Sequence, residues 1–459
     1  LRMELPAVFE RSHRLIFDLL QSGTVTGLRI DHVDGLYDPA DYLQRLQDWA
    51  ASALAPGSGP WPLYLVVEKI LGTNEELPAP WPVYGTTGYE FLSLINGLFV
   101  DRNNERAMDQ AYARFVGEEQ PFDELAYACK RLIMKVSMVS ELNVLGHQLN
   151  RLSERDRGSR DFTLNSLIDV LREIIACFPV YRTYIRPGED GLLDRDRTFI
   201  WQAVAKAKRR NPAVSGLVFD FVRDLLLTPI TADGAGGDEH RAFVMKFQQL
   251  TSPVTAKGVE DTAFYRYHRL LSLNEVGGDP QQFGLFPPLV HQQFKTRQGK
   301  TPHALSATAT HDTKRGEDLR TRLSVLSEIP KEWQQQTLRW RKLNRKWKAN
   351  GEQGVMPAAG DEYALYQTLV GAWPATGLED QREREEFRER IHGYMVKALR
   401  EAKSRTSWVN PDAEYEDAMS RFISAILDPV RASDFLADFA AFQHRVSAYG
   451  VYYSLAQVL

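Results

Sequence analysis

An α/β fold, with strands and helices alternating around a parallel sheet, is predicted by three observations. Two short apolar runs each end in a carboxylate: Val25-Thr26-Gly27-Leu28-Arg29-Ile30-Asp31 and Leu63-Tyr64-Leu65-Val66-Val67-Glu68. A segment with apolar residues at helical spacing precedes each run. The second run is apolar without alternation, as a strand covered on both faces by helices is. Helix, strand, helix, strand is the grammar of a βα-repeat fold. Carboxylates at C-terminal strand ends sit where (β/α)8 TIM barrels carry their chemistry.

The elements follow in order. Phe9, Leu15, Ile16, Leu19 and Leu20 predict a first helix over about 6–20. Asp38 before Pro39 is an N-cap and first-turn signature, opening a helix through Tyr42, Leu43, Leu46, Trp49 and Ala50. A Pro/Gly loop (APGSGPWP) leads to the second strand. Helical patterns then cover 89–100, 107–116, 122–151 and 164–177. Val180–Ile185 and Leu305–Thr310 are further strand candidates, the latter leading into His311-Asp312. The stretch from Glu68 to Asp312 far exceeds the roughly 60 residues of two barrel units, so large helical insertions are expected there. Helices continue beyond, with 351–362 as a loop. The expected organisation is 1–87 and 179–320 as barrel units, 88–178 as a helical insertion and 321–459 as a helical region.

Of the 459 residues, 43% are apolar and 25% charged, with a net charge of −4. That balance excludes disorder and offers no basic footprint for nucleic acid or a membrane surface. No stretch has the roughly 18–20 apolar residues of a membrane span. Cys129 and Cys177, both in helix-like apolar stretches, read as small core residues and suit a reducing cytoplasm. The chain opens on Leu1 without a signal-like region and stops within a helical pattern at Ser454–Leu459, which reads as a fragment cut at both ends. Lys331–Lys348 holds seven Lys/Arg with Trp333, Trp340 and Trp347 every seven residues. Interleaved bases and aromatics can bind nucleic acid, but this spacing forms one core-facing stripe with a solvated basic face. Asp380–Arg390 reads as an exposed charged helix.

Asp31, Glu68 and Asp312 each end a strand-like run. Singly, such an acid is more often a helix cap or a solvated loop residue. Retaining glycoside cleavage, in contrast, needs a nucleophilic carboxylate and a second carboxylic acid flanking one bond. Arg29 lies two residues before Asp31, on the same strand face, and a guanidinium there holds the carboxylate ionised. Glu68 follows five apolar residues, and a poorly solvated carboxyl keeps its proton longer, as a general acid should. His311-Asp312 supplies a donor beside an acceptor, suited to sugar hydroxyls.

Together these segments resemble the α-amylase superfamily, whose members place a nucleophile in a G-x-R-x-D context after strand 4, an acid/base Glu after strand 5 and a His-Asp pair after strand 7. The resemblance implies a partial (β/α)8 barrel of the α-amylase type, strands 4 to 7, with large helical insertions. It makes Asp31 the nucleophile, Glu68 the acid/base and Asp312 the transition-state stabiliser, with Arg29, His32 and His311 at the substrate. Longer stretches narrow it. Arg29–Leu36, Val67–Leu71, Gly85–Tyr89, Ala256–Tyr267 and Thr310–Asp318, together with Thr406-Ser407-Trp408 and Asn410-Pro411, are similar to the maltooligosyl trehalose synthase family. The superfamily's Asp and Asn-His motif around strand 3 is absent, as is strand 8.

That family resemblance implies an intramolecular transglycosylation. The reducing-end α-1,4 glucose of a maltooligosaccharide or linear α-1,4-glucan becomes an α,α-1,1-linked trehalose end, in sequence with a trehalose-releasing hydrolase. No cofactor is implied and no metal, although Asp31, His32 and Asp34 compose a metal-like trio. Lys257, Glu260 and Asp261 belong to a stretch typical of the subgroup and are expected near an enclosed glucose pocket, with a helix cap and a solvated lysine as the competing reading. Tyr89 and Trp81 offer rings for a sugar to stack on, and packing is the equal alternative. An α-glucan hydrolase or 4-α-glucanotransferase shares the three carboxylates but not the subgroup stretches. A non-enzymatic scaffold is expected to have lost at least one of the three.

Overall fold

The computed structural model describes residues 1–54, 59–73, 75–117, 120–188, 191–230, 235–352 and 354–459. Residues 55–58 of the first Pro/Gly loop and residue 353 of the second loop lie outside the described residues. The chain divides into two compact units, interleaved in sequence: Leu1–Tyr89, Ala126–Val259 and Arg297–Ser306 in the first, Glu90–Leu125, Glu260–Thr296 and Ala307–Leu459 in the second. The architecture is a helix-rich α/β one with a small parallel sheet.

In the first unit β1 (Gly27–Ile30), β2 (Tyr64–Val67) and β3 (Gly85–Thr86) pair in parallel, in the order β1-β2-β3. Ile30 stands opposite Val67, and Val67 opposite Thr86. The helix Pro6–Gln21 precedes β1, and Pro39–Ala53 connects β1 to β2. The second of these starts where Asp38 Oδ1 accepts from the Asp41 N–H at 3.0 Å, satisfying an otherwise orphaned donor. Phe9, Leu43 and Leu46 from the helices bury Leu65 and Val67 of β2. A second core lies among the helices Val139–Glu154, Leu164–Ala176, Asp194–Arg210, Gly216–Leu227 and Ala235–Thr255, filled by Leu149, Leu171, Ile174, Val222, Phe243 and Phe247. Cys129 and Cys177 are buried and not joined in a disulfide.

Two strand expectations fail for identifiable reasons. At 180–185 the backbone N–H of Ile185 donates to Gln248 Oε1 at 2.6 Å, and Gln248 Nε2 donates back to the Ile185 carbonyl at 3.1 Å. A side-chain amide thus takes the place of a neighbouring strand. At 305–310 one ladder-like bond forms, Leu305 N–H to the Thr86 carbonyl at 3.1 Å. Leu305 is 42% exposed, so the run has no buried face to hold a longer register. The helix expected over 122–151 is two, Phe122–Val136 and Val139–Glu154. Between them the Ser137 and Met138 N–H groups both turn back to the Ile133 carbonyl.

The second unit is built around aromatic side chains. Trp333 and Trp340 are fully buried on the helix Pro330–Asn344, against Tyr363, Tyr366, Phe439 and Phe442. Trp340 Nε1 donates to Asp438 Oδ2 at 2.8 Å, so even its polar edge is satisfied. Trp333 and Trp340 of the stripe are therefore core and Trp347 is part-buried, while Arg339, Lys342, Arg345 and Lys346 are exposed and Arg341 reaches in to the Phe115 carbonyl at 2.7 Å. The expected loop at 351–362 instead contains a hairpin, β4 (Ala349–Gly351) with β5 (Gly354–Met356), before the helix Ala359–Ala372. The charged run near 380–390 lies in the helix Gln381–Ala402, capped by Asp380.

Trp340→Ala removes a filled core position and is expected to cost about 3–5 kcal/mol. Lys342→Ala, exposed on the same helix, should stay within about 0.5 kcal/mol. Urea unfolding of both variants checks this.

Candidate active site

Parallel register brings two of the three candidate carboxylates to neighbouring positions. β1 ends at Ile30 and β2 at Val67, which are register partners, so Asp31 and Glu68 leave adjacent strands at the same level. The ladder continues one step further, with the Glu68 N–H donating to the Ile30 carbonyl at 2.8 Å. The backbone then turns sharply. His32 is left-handed, with φ of 49°, and its N–H donates to Glu68 Oε2 at 2.8 Å. Such a φ is uncommon outside glycine, though histidine is among the residues enriched there. The His32 ring packs over Gly35, where a Cβ would meet it at 2.6 Å and the exposed ring would have to turn aside.

The two carboxylates differ in environment. Asp31 is mostly exposed and receives Arg29 Nη2 at 2.8 Å, the same-face pair expected from the strand alternation. Glu68 is half-buried, and its pKa is raised above the ordinary 4.5. Loss of solvation is the main cause, the His32 N–H opposes it, and the negative charges of Asp34 and Asp31 add to it. Asp31 is paired with a guanidinium, and Glu68 is held toward its protonated form. Two carboxyl groups in unlike environments are what two-carboxylate glycoside chemistry uses.

Beneath the pair lies a buried ionic group. The Lys69 ammonium is fully buried, 3.3 Å from Asp34 Oδ2 and 3.4 Å from Glu75 Oε1, and donates to the Ile70 carbonyl at 2.7 Å. Arg195 reaches Glu75 Oε1 at 2.7 Å. Tyr184 donates its hydroxyl to Asp34, and Arg182 Nη1 donates to the Asp34 and Leu36 carbonyls, both at 2.7 Å. The segment after β1 is thereby tied to the segment after β2. Lys69 carried a signal in sequence, a lone cation directly after Glu68 in an apolar run. Glu75 carried none.

In the second unit His311 Nε2 lies 3.2 Å from Asp312 Oδ2, and both side chains are exposed. Their loop is fixed by its neighbours. Glu275, 1% exposed, accepts from the Lys314 N–H at 2.6 Å and the Arg315 N–H at 3.0 Å. Lys314 Nζ donates to Asp261 Oδ1 at 2.7 Å, so the expected residue Asp261 does contact the loop of Asp312. Lys257 is exposed and Glu260 buried, both on the π-helical turn Ala256–Glu260 that follows Pro253 in its helix. Tyr89 and Trp81 are buried, at 1% and 4% exposure, and Trp81 packs edge-on against Tyr184. Neither ring offers a face to a sugar, which corrects the expectation for Tyr89 and leaves packing as the role of both. Among the described residues no group of three or more His, Cys, Asp or Glu side chains could hold a metal ion. No described helix is long and apolar enough to cross a membrane.

Lys69→Met takes the shared cation from two buried carboxylates, leaving Glu75 with Arg195 and Asp34 with Tyr184, and is expected to destabilise the fold by about 3–5 kcal/mol. Denaturant unfolding at neutral pH measures the loss, and a change below 1 kcal/mol contradicts the assigned pairing.

Comparison with known proteins bears on these arrangements. No family model matches the chain. A Mycobacterium tuberculosis protein, named provisionally as a maltooligosyl trehalose synthase, is 33% identical over 437 residues, 95% of this chain and 50% of that protein. The solved maltooligosyltrehalose synthase of Arthrobacter ramosus superposes with a TM-score of 0.81 at 32% identity, over 99% of this chain and 52% of that one. A hypothetical maltooligosyl trehalose synthase of Sulfolobus tokodaii gives 0.73 at 32% identity, over 98% and 52%. Along nearly its whole length the chain is thus a homologue of the maltooligosyl trehalose synthases, and it spans about half the length of the relatives it matches.

Proposed function

We propose that this chain carries the retaining carboxylate pair of an enzyme that isomerises the reducing end of maltooligosaccharides from an α-1,4 to an α,α-1,1 linkage. The observation that carries the reading is the Asp31–Glu68 arrangement: adjacent, in register, one held by a guanidinium and the other raised in pKa. Asp31 attacks the anomeric carbon next to the reducing-end glucose, and Glu68 gives its proton to the departing 4-oxygen. The freed glucose turns, its anomeric hydroxyl attacks the glycosyl-enzyme, and Glu68 takes that proton. Two inversions leave the α configuration. Asp312 is assigned the stabilising role by the order of the motifs, with Arg29, His32 and His311 binding sugar hydroxyls and Lys257, Glu260 and Asp261 serving the glucose pocket.

In this reading β1-β2-β3 is part of a (β/α)8 barrel of the α-amylase type, with 1–87 and 179–320 as barrel units, 88–178 inserted and 321–459 following. The substrate is a maltooligosaccharide or linear α-1,4-glucan, and the product passes to a trehalose-releasing hydrolase. Two cysteines, Cys129 and Cys177, that are not joined in a disulfide suit the cytoplasm as the place of reaction.

The test incubates the protein, in the longest form its gene encodes, with maltopentaose while reducing ends and free glucose are followed. Reducing ends should disappear with little glucose released, and Asp31→Asn should abolish the change. Rising reducing ends would assign water as the acceptor, and a constant number with redistributed chain lengths would assign a second glucan. Because Glu68 must be protonated to act as the acid, its raised pKa carries the basic limb of kcat/KM to a pH above that of an ordinary glutamate. Glu68→Gln should remove that limb and lower the rate by about 10²–10⁴-fold.

A further inference from the structure

Trp408 is 52% exposed, and the neighbouring Val409 is 96% exposed. Single exposed apolar residues need no explanation, but this indole is held in place on several sides. Its Nε1 donates to Glu401 Oε1 at 3.0 Å, and the Arg400 guanidinium lies 5.0 Å from the ring centroid. Arg400 is itself fixed by a bidentate pair with Glu416, at 2.8 and 2.7 Å. The loop bearing the ring is pinned at its base, where Thr406 Oγ1 donates to Glu416 Oε1 at 2.6 Å and accepts from the Asp412 N–H at 2.9 Å. It is closed at its tip by the Ser407 N–H to the Asn410 carbonyl, 3.2 Å, and the Asn410 N–H to Ser407 Oγ, 3.0 Å.

The same cluster is tied to the His311-Asp312 loop. Lys403 Nζ donates to Glu401 Oε2 at 3.4 Å, to the Asp261 carbonyl at 3.0 Å and to Thr262 Oγ1 at 3.1 Å. Asp261 in turn accepts from Lys314, two residues after Asp312. The fold thus holds a large aromatic surface in water and links it by hydrogen bonds and ion pairs to the segment bearing a candidate catalytic carboxylate. A rigid aromatic of this kind gives contact area at little further entropic cost on binding.

We propose that Trp408 is a stacking platform for a glucose ring of the bound glucan. The C–H face of a pyranose is apolar and flat, and its edge hydroxyls fall beside the flanking Glu401 and Arg400. This deepens the α-glucan reading above and rests on it. Isothermal titration of maltopentaose into the Asp31→Asn protein separates binding from turnover. Trp408→Ala in that background should weaken binding by roughly tenfold, and Trp408→Phe, which keeps a ring, should recover most of it. The melting temperature of both variants should match the parent, since the ring is exposed. Equal affinity of parent and Trp408→Ala overturns the platform while leaving the α-glucan reading intact. A parent that binds no maltopentaose overturns both.

Discussion

The arrangement at the sheet's C-terminal edge depends on a single buried ammonium. Lys69 follows Glu68 directly and is shared by Asp34, three residues after Asp31, and Glu75. An unpaired ammonium at that depth would be too costly to keep charged. Both acids must therefore stay close to it, and with them the segments that follow β1 and β2. Arg182 and Tyr184 add the neutral and charged hydrogen bonds that a buried pair needs to be satisfied. The candidate carboxylates Asp31 and Glu68 remain nearer to water than this ionic group.

Much of the first unit was legible because its signals are local. Alternation along β1 placed Arg29 beside Asp31, the unbroken apolar run marked β2, and Asp38-Pro39 marked the start of the following helix. The Trp333 and Trp340 stripe was legible for the same reason, since a seven-residue spacing fixes one helix face. What escaped were partners distant in sequence. Gln248 pairing with the backbone of Ile185, and Glu275 accepting from the loop after Asp312, join residues with no pattern linking them. The burial of Tyr89 escaped too, because an aromatic at a helix start looks the same in sequence whether it packs inward or faces solvent.

The two units fasten their candidate acids by different means. In the first, a left-handed residue and a ladder bond define the carboxylate positions, and the ionic group lies one layer below. In the second, a buried carboxylate holds the loop directly, with Glu275 gathering the N–H groups of Lys314 and Arg315 much as an N-cap gathers helix donors. Backbone capture of this kind holds the loop while the paired side chains of His311 and Asp312 stay exposed.

Gly35 separates the two halves of His32. The imidazole lies where a Cβ on residue 35 would go, whereas the group that donates to Glu68 is the His32 backbone N–H. The ring is exposed and has water to turn into, so alanine at 35 displaces the side chain and can leave the peptide in place. Substitution at a glycine next to this edge thus asks a narrower question than substitution of His32 itself: whether the ring, apart from the backbone bond beside it, matters to whatever the carboxylates do.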